Sequence, residues 1–266
     1  IYLNGVSYTY PGYTTISDNN CSDNQQGIRL EYYSYNTITD NNCSHNMHSD
    51  YAGIYLRAST NNSVSSNTCL YNRNGICLRV DSTDNTISDN TCSSNTGNGM
   101  WIRTGSDRTT ITSNTITNNG RGIYLVAASN CSITYNWIEN NTMASTGAYL
   151  DVDSHDNEIH YNCFINNDPQ ASDNGYHNNW DNNYWSDYPV DGGVYDIMDY
   201  TGTVRSQDTN TLGECPLQQQ IQLPCGVGGN VLPVSMLELL APYITAALAF
   251  VALLALAAIG IRRRNP

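Results

Sequence analysis

Along residues 1–174 the apolar positions fall two and five apart, and each group is bracketed by Asn, Asp, Ser or Thr. Aligning the first apolar residue of each polar half gives Ile16, Ile38, Val64, Ile87, Ile111, Ile133 and Ile159. Asn stands three residues later in every copy, at Asn19, Asn41, Asn67, Asn90, Asn114, Asn136 and Asn162. It stands again eight residues later, at Asn24, Asn46, Asn72, Asn95, Asn119, Asn141 and Asn167. Between them, five residues on, come Cys21, Cys43, Cys69, Cys92, Ile116, Ile138 and Phe164. The copies open on G-I-x-L or a near variant at Gly27, Gly53, Gly75, Gly99, Gly122 and Gly147, spaced 26, 22, 24, 23 and 25 residues. Such a period marks a repeat architecture. A helix face needs apolar residues three and four apart, so helices are excluded. A fixed strand order in every copy disfavours an antiparallel sandwich. Very short strands with an inward β-branched residue fit instead. Asn tolerates the left-handed conformation and bonds nearby backbone, so it is expected to turn the chain between strands. Stacked copies place Asn above Asn, where side-chain amides can bond along the stack. The pattern predicts an all-β parallel β-helix of about seven turns, a rod roughly 30–35 Å long at the usual strand spacing.

The repeat resembles the right-handed parallel β-helix family. Residues 157–188, NEIHYNCFINNDPQASDNGYHNNWDNNYWSDY, sharpen the likeness. That stretch is similar to the closing segment of NosD-like β-helix proteins, common among archaeal surface proteins, through Asn162, Phe164, Asn167, Trp180, Asn183, Tyr184, Trp185, Asp187 and Tyr188. The resemblance implies an Asp/Gly-rich run next. Here DYPVDGGVYDIMDY carries Asp191, Asp196 and Asp199 without regular alternation, so no cofactor is expected and calcium is the one cation left open. Copper, suggested by the family's name-giver, is not expected from so few Met and His residues.

Beyond residue 174 the period fades. Residues 175–214 are expected to form a C-terminal cap, with Trp180, Tyr184, Trp185 and Tyr188 covering the open end of the coil. A linker at 215–238 leads to residues 239–261, of which PYITAALAFVALLALAAIGI carries no formal charge. Twenty such residues make about 30 Å of helix, the thickness of a bilayer core. Arg262, Arg263 and Arg264 follow in the basic tail at 262–266. The positive-inside rule puts that tail in the cytoplasm and the β-helix outside, anchored by one C-terminal transmembrane helix in the cell membrane. The chain starts with IYLNG, the middle of a copy, so a preceding part is expected.

Composition narrows the partners. The chain has 266 residues, a net charge of −13, and no lysine; all 11 positive residues are Arg. An acidic surface repels phosphate backbones, so nucleic acid is not expected as a partner. Glycans, neighbouring surface proteins and the bilayer are.

Counting from each repeat Gly, positions +2 and +4 face outward. The +2 column reads Arg29, Tyr55, Cys77, Trp101, Tyr124 and Tyr149; the +4 column reads Glu31, Arg57, Arg79, Arg103, Val126 and Asp151. Aromatic faces beside Arg suit sugars, which stack C–H faces on rings and bond through hydroxyls. Tyr55, Arg57, Arg79, Trp101, Arg103, Tyr124 and Tyr149 are therefore the candidate carbohydrate contacts. A lateral interface of an envelope or filament subunit is the architectural alternative. A surface polysaccharide lyase or hydrolase is the other, and it needs paired carboxylates; Asp151, Asp153 and His155 are the residues available at strand spacing. The Cys column reads as packing, because Ile and Phe continue it. Cys215 and Cys225 are the expected disulfide in an exported protein. His45, His48 and Asp50 read as solvated, and no metal site is expected. Sequons at Asn20, Asn42, Asn61, Asn130 and Asn140 are candidate glycosylation sites, with Asn61 and Asn140 favoured.

Overall fold

The structure is a computed structural model and describes residues 1–5, 12–47, 52–141 and 146–217. The chain winds through three faces per coil, each face a ladder of parallel strands. Strands of up to six residues, such as Asn98–Arg103 and Arg121–Val126, make the first face. Three-residue strands such as Thr110–Thr112 and Thr115–Thr117 make the second and third. Each strand pairs in register with its copy in the next coil, Ile111 with Ile133 and Ile116 with Ile138. There are about eight coils rather than seven. The last is Ala171–Asp173, Asn179–Asp181 and Tyr184–Trp185, in which Trp180 is registered on Ile159 and Trp185 on Phe164. The two Trp residues thus continue the core columns. Beyond them the antiparallel hairpin Tyr195–Met198 and Val204–Asp208 pairs back onto this coil.

The core is one file of aliphatic side chains down the stack, with Cys21, Cys43, Cys69 and Cys92 among them at 5 % exposure or less. Thr-Ile-Thr triplets explain the thin strands. Ile turns inward, both Thr residues turn outward, and all suit a pleated surface.

The buried column asparagines hold the corners without adopting the turn themselves, although Asn118, Asn140 and Asn166, each just before one of them, do adopt it. The left-handed residue is the one before each: Asp89, Ser94, Ser113 and Tyr135 have φ of 55–57°. The Asn that follows stays buried. The Asn114 side-chain amide donates to Thr112 O, to Ile87 O and to Asn136 Oδ1 at 2.9–3.0 Å, while its Oδ1 accepts from Asn90 N and Nδ2. Left-handed backbone costs a non-glycine residue about 1–2 kcal/mol. The bonds made by the next residue over-determine the conformation and hold it. The same chain of amides runs from Asn19 to Asn183 and ends on the Asp208 carboxylate. A second runs from Asn95 through Asn119 and Asn141 to Asn167 and ends on Gln170 Oε1. The N-x-I residues make a third, where Asn62 and Asn85 bond, before Thr109 and Cys131 interrupt it.

The column of Gly residues exists because the coils nearly touch there. A Cβ on Gly122 would lie 2.2 Å from Gly147 O and 2.9 Å from Ile138 Cγ2. Neither neighbour can swing away, since one is backbone and the other is packed core. Gly122→Ala is expected to destabilise the chain by about 1–3 kcal/mol through overpacking. Urea denaturation would show it as a lower midpoint at constant slope; an unchanged midpoint would refute the close approach.

Cys163 forms a disulfide with Cys215. This corrects the expected pairing of Cys215 with Cys225, because the third-face strand Cys163–Ile165 comes back beside residue 215 although 52 residues separate them. Cys225 lies outside the described residues, as do His48, Asp50 and the expected span at 239–261. No helix among the described residues is long and apolar enough to cross a membrane.

Candidate functional site

The outward strip of the first face divides into three parts with different chemistry. Toward the N-terminus Glu31 neutralises it. Glu31 accepts from the Tyr2 hydroxyl at 2.7 Å, pairs with Arg29, and lies 4.0 Å from Arg57. Burial alone would raise its carboxyl, but the Tyr2 and Arg29 bonds and the Arg57 charge hold it below the usual range. Arg57 is further occupied by the Tyr32 hydroxyl at 2.8 Å. Tyr55, expected as an open ring, is 3 % exposed and packs with Ala52 and Cys77 in a small cluster outside the main core, with Trp101 against it. The strip is a packed layer here because adjacent outward side chains stand one strand spacing apart and cover one another.

Toward the C-terminus lie the carboxylate candidates. The long strand ends at Leu150, and Asp151 starts a turn rather than extending the strand as expected. Its Oδ1 accepts from Ala127 N, Asp153 N and Ser154 Oγ at 3.0, 3.2 and 2.8 Å. A carboxylate that holds two donors of its own turn and one from the neighbouring coil is a structural group. Asp153 is exposed, and His155 bonds Asp156 while stacking on Tyr176 at 4.6 Å. The three candidates share one turn, but Asp151 and His155 are aimed at different neighbours. Tyr149 bonds Asn174 and meets Tyr124 edge to face at 5.2 Å. Burial raises the Tyr149 hydroxyl.

The middle part is the distinctive one. Arg73, Asn74, Arg79, Thr96, Gly97, Asn98, Trp101, Arg103, Arg121 and Tyr124 line a recess of about 380 Å³. Trp101 and Tyr124 sit in register on neighbouring coils, with parallel rings 5.9 Å apart. The Arg103 guanidinium lies 3.9 Å from the centre of Trp101, and that of Arg121 lies 4.8 Å from Tyr124 and 5.5 Å from Tyr149. Burial pushes the Cys77 thiol up to about 12, against the charges of Arg103 and Arg79 beside it. The Arg79 charge also lies beside the Tyr55 hydroxyl. Asn74 and Asn98 bond each other at 3.0 Å and fix the recess floor.

Arg73 and Arg121 were outside the expected strip. They precede the repeat Gly and reach the recess from the corner, so the +2 and +4 alternation does not find them. All five sequon asparagines are exposed: Asn61, Asn130 and Asn140 at left-handed corners, Asn20 and Asn42 in parallel bridges between coils. Asn20 and Asn42 are therefore no less accessible than Asn61 and Asn140, since the buried Cys beside each points to the opposite side.

The model of a family described as periplasmic copper-binding protein (NosD) matches residues 2–70 and 44–196. No curated protein gives a significant match. Among solved structures, the A-module of a mannuronan C-5 epimerase from Azotobacter vinelandii is similar at 13 % identity and a TM-score of 0.37. That likeness covers 70 % of this chain and 63 % of the module, so the chain spans less than two thirds of it.

Proposed function

This chain belongs to the NosD family, and from that premise we propose that it is an extracellular, membrane-anchored β-solenoid that binds carbohydrate without transforming it. The recess on the first face carries the reading. It is concave, built on rigid in-register strands, and combines two aromatic rings with polar and charged groups, as saccharide sites do. Support for a non-catalytic role comes from Asp151, whose carboxylate is committed to its own turn and to the backbone of the neighbouring coil. The 20-residue uncharged segment followed by three Arg residues supports the anchor. The Trp185–Tyr195 stack at 4.2 Å, with Tyr188 edge-on, is read as part of the solenoid's cap.

The family description names copper, and the described residues do not fit it. Copper(I) takes soft donors, and a thiol must ionise to serve as one. Cys21, Cys43, Cys69 and Cys92 form a single file buried in hydrocarbon. Hydrogen bonding to Cys69 and burial hold the Cys43 thiol far above its usual value. Among the described residues no group of three or more His, Cys, Asp or Glu is placed to hold a metal.

Binding of the purified full chain to a glycan array tests the reading. Trp101→Ala and Tyr124→Ala are each expected to weaken binding about tenfold, the equivalent of ~1.4 kcal/mol, because each removes a ring that shapes the recess. Full binding by both variants would remove the proposal. New reducing ends or unsaturated products after incubation with polysaccharide would make the protein an enzyme instead.

A further inference from the structure

The rings of the recess carry guanidiniums against them. One face of Trp101 looks toward Tyr124, and the Arg103 guanidinium stands over the ring at 3.9 Å. Arg121 bridges Tyr124 and Tyr149 in the same way. Guanidinium planes packed on rings lose much of their rotamer freedom before any ligand arrives, so less is lost when they bind one. What the recess presents is fixed positive charge.

Among the described residues that line the recess, none is acidic. The chain has 11 Arg, three of them at 262–264, so four of the other eight line this one recess. Among the described residues the arginines in ion pairs are Arg29, Arg57, Arg108 and Arg205. Arg73, Arg79, Arg103 and Arg121 are in none, in a protein of net charge −13. Acidic side chains are abundant along the chain, which sharpens the contrast with this lining. Three buried donors at the site, Trp101 Nε1, Arg103 Nε and Arg121 Nε, have no acceptor. A buried unsatisfied donor costs about 1–3 kcal/mol, so several in one spot point to a ligand acceptor.

We infer that the ligand is an acidic saccharide, whose carboxylate or sulfate groups are taken by the guanidiniums of Arg103 and Arg121, with Arg73 and Arg79 at the rim. The inference rests on the reading of this recess as a carbohydrate site. It narrows that reading to glycans whose charge is set within reach of sugar hydroxyls. Guanidinium forks match the two oxygens of a carboxylate or sulfate bidentately, and Thr96 supplies a polar group for hydroxyls. The surrounding negative surface repels anions that lack a matched fit, and the recess focuses those that have one.

Three probes on the full chain test this: an oligouronate, its carboxyl-reduced neutral counterpart, and a sulfated oligosaccharide. Binding of the oligouronate is expected to fall about a hundredfold on carboxyl reduction, roughly tenfold for each charge-assisted pair lost. Arg103→Ala combined with Arg121→Ala should cost the same factor. The lysine pair should recover little of it, because an ammonium cannot make the fork. Arg108→Ala, which removes an exposed Arg paired with Asp84 elsewhere, should leave affinity unchanged. Tighter binding of the sulfated probe would assign sulfate as the anion, and of the oligouronate carboxylate; either supports the inference. Equal binding of acidic and neutral probes, lost in Trp101→Ala, would overturn the inference and leave the carbohydrate reading standing. No binding of any saccharide would overturn both. Equal competition by single-stranded DNA would reduce the recess to a general polyanion site and overturn it as well.

Discussion

Asn114→Ala is expected to lower the unfolding free energy by about 3 kcal/mol or more, several times the effect of an average surface change. Asn114 lies midway along the longest amide chain and is 1 % exposed. Alanine leaves the Asn90 backbone N–H without its acceptor at 2.9 Å, and takes the side-chain donor from Ile87 O and Thr112 O. It also frees Ser113, at φ 56°, from the neighbour that holds its left-handed turn. Water cannot reach these groups without parting two coils. The comparison is Asn19→Ala, half-buried, whose side chain donates to Asn41 and to its own corner. About 1 kcal/mol is expected there. Urea unfolding of both variants decides it, and equal losses would show that the chain of amides carries no more than its individual bonds.

Asp208→Ala is expected to cost about 3–5 kcal/mol, because three buried donors lose one acceptor. Asn183 N, Asn183 Nδ2 and Trp185 Nε1 all reach Asp208 Oδ2 at 2.9–3.0 Å, and Asp208 is fully buried. Every amide in the column points its N–H toward this end, so their dipoles add there, and an anion is the best terminus, as at a helix N-terminus. Asp208→Asn keeps a carbonyl acceptor but not the charge, and should lose less than half as much. Thermal melts give the order, and Trp185 gives an independent readout. Its emission should shift to the red in Asp208→Ala, where water enters, and stay nearly unchanged in Asp208→Asn. Equal stability of the alanine variant and the parent would refute the terminus role.

The columns that recur in every copy were legible because repetition separates a structural residue from a chance one. Asn90 and Asn95 stand out only against their sister copies. The corner's left-handed residue was not legible, since it is Asp89 in one coil, Ser113 in the next and Tyr135 in a third. Its conformation is imposed by the following Asn rather than by its own side chain. The last coil was disguised by size. Trp180 and Trp185 read as a cap over the open end of the coil, yet they fill the Ile and Phe columns. Their indole N–H groups are satisfied by Asp173 and Asp208 at 3.0 Å, two carboxylates that a sequence reading sends to the surface. Asp173 even stands in register with Leu150.

The site was legible by direction but not by environment. Alternation identified Arg79, Trp101, Arg103 and Tyr124 as outward residues, and all four line the recess. It could not say that Glu31 neutralises the strip at one end or that Tyr55 is covered. Those outcomes depend on which long side chain folds onto which neighbour. The disulfide was illegible for a related reason. Its partners are distant in sequence, and only the path of the third face brings Cys163 to Cys215.

That disulfide sets how the molecule would carry mechanical load. Tension entering through residue 217 meets Cys215 two residues later and crosses directly to Cys163, in a strand paired on both sides. The hairpin and the coil from Ala171 to Trp185 lie outside the force path, within the loop of 52 residues that the bond closes. Coils in a solenoid peel one at a time from an end, since each touches only its neighbours. A pull from this side skips the terminal coil and loads the interior of the stack, where several strands must yield together. Reduction would return the force to the hairpin, and the same structure would unzip from its edge.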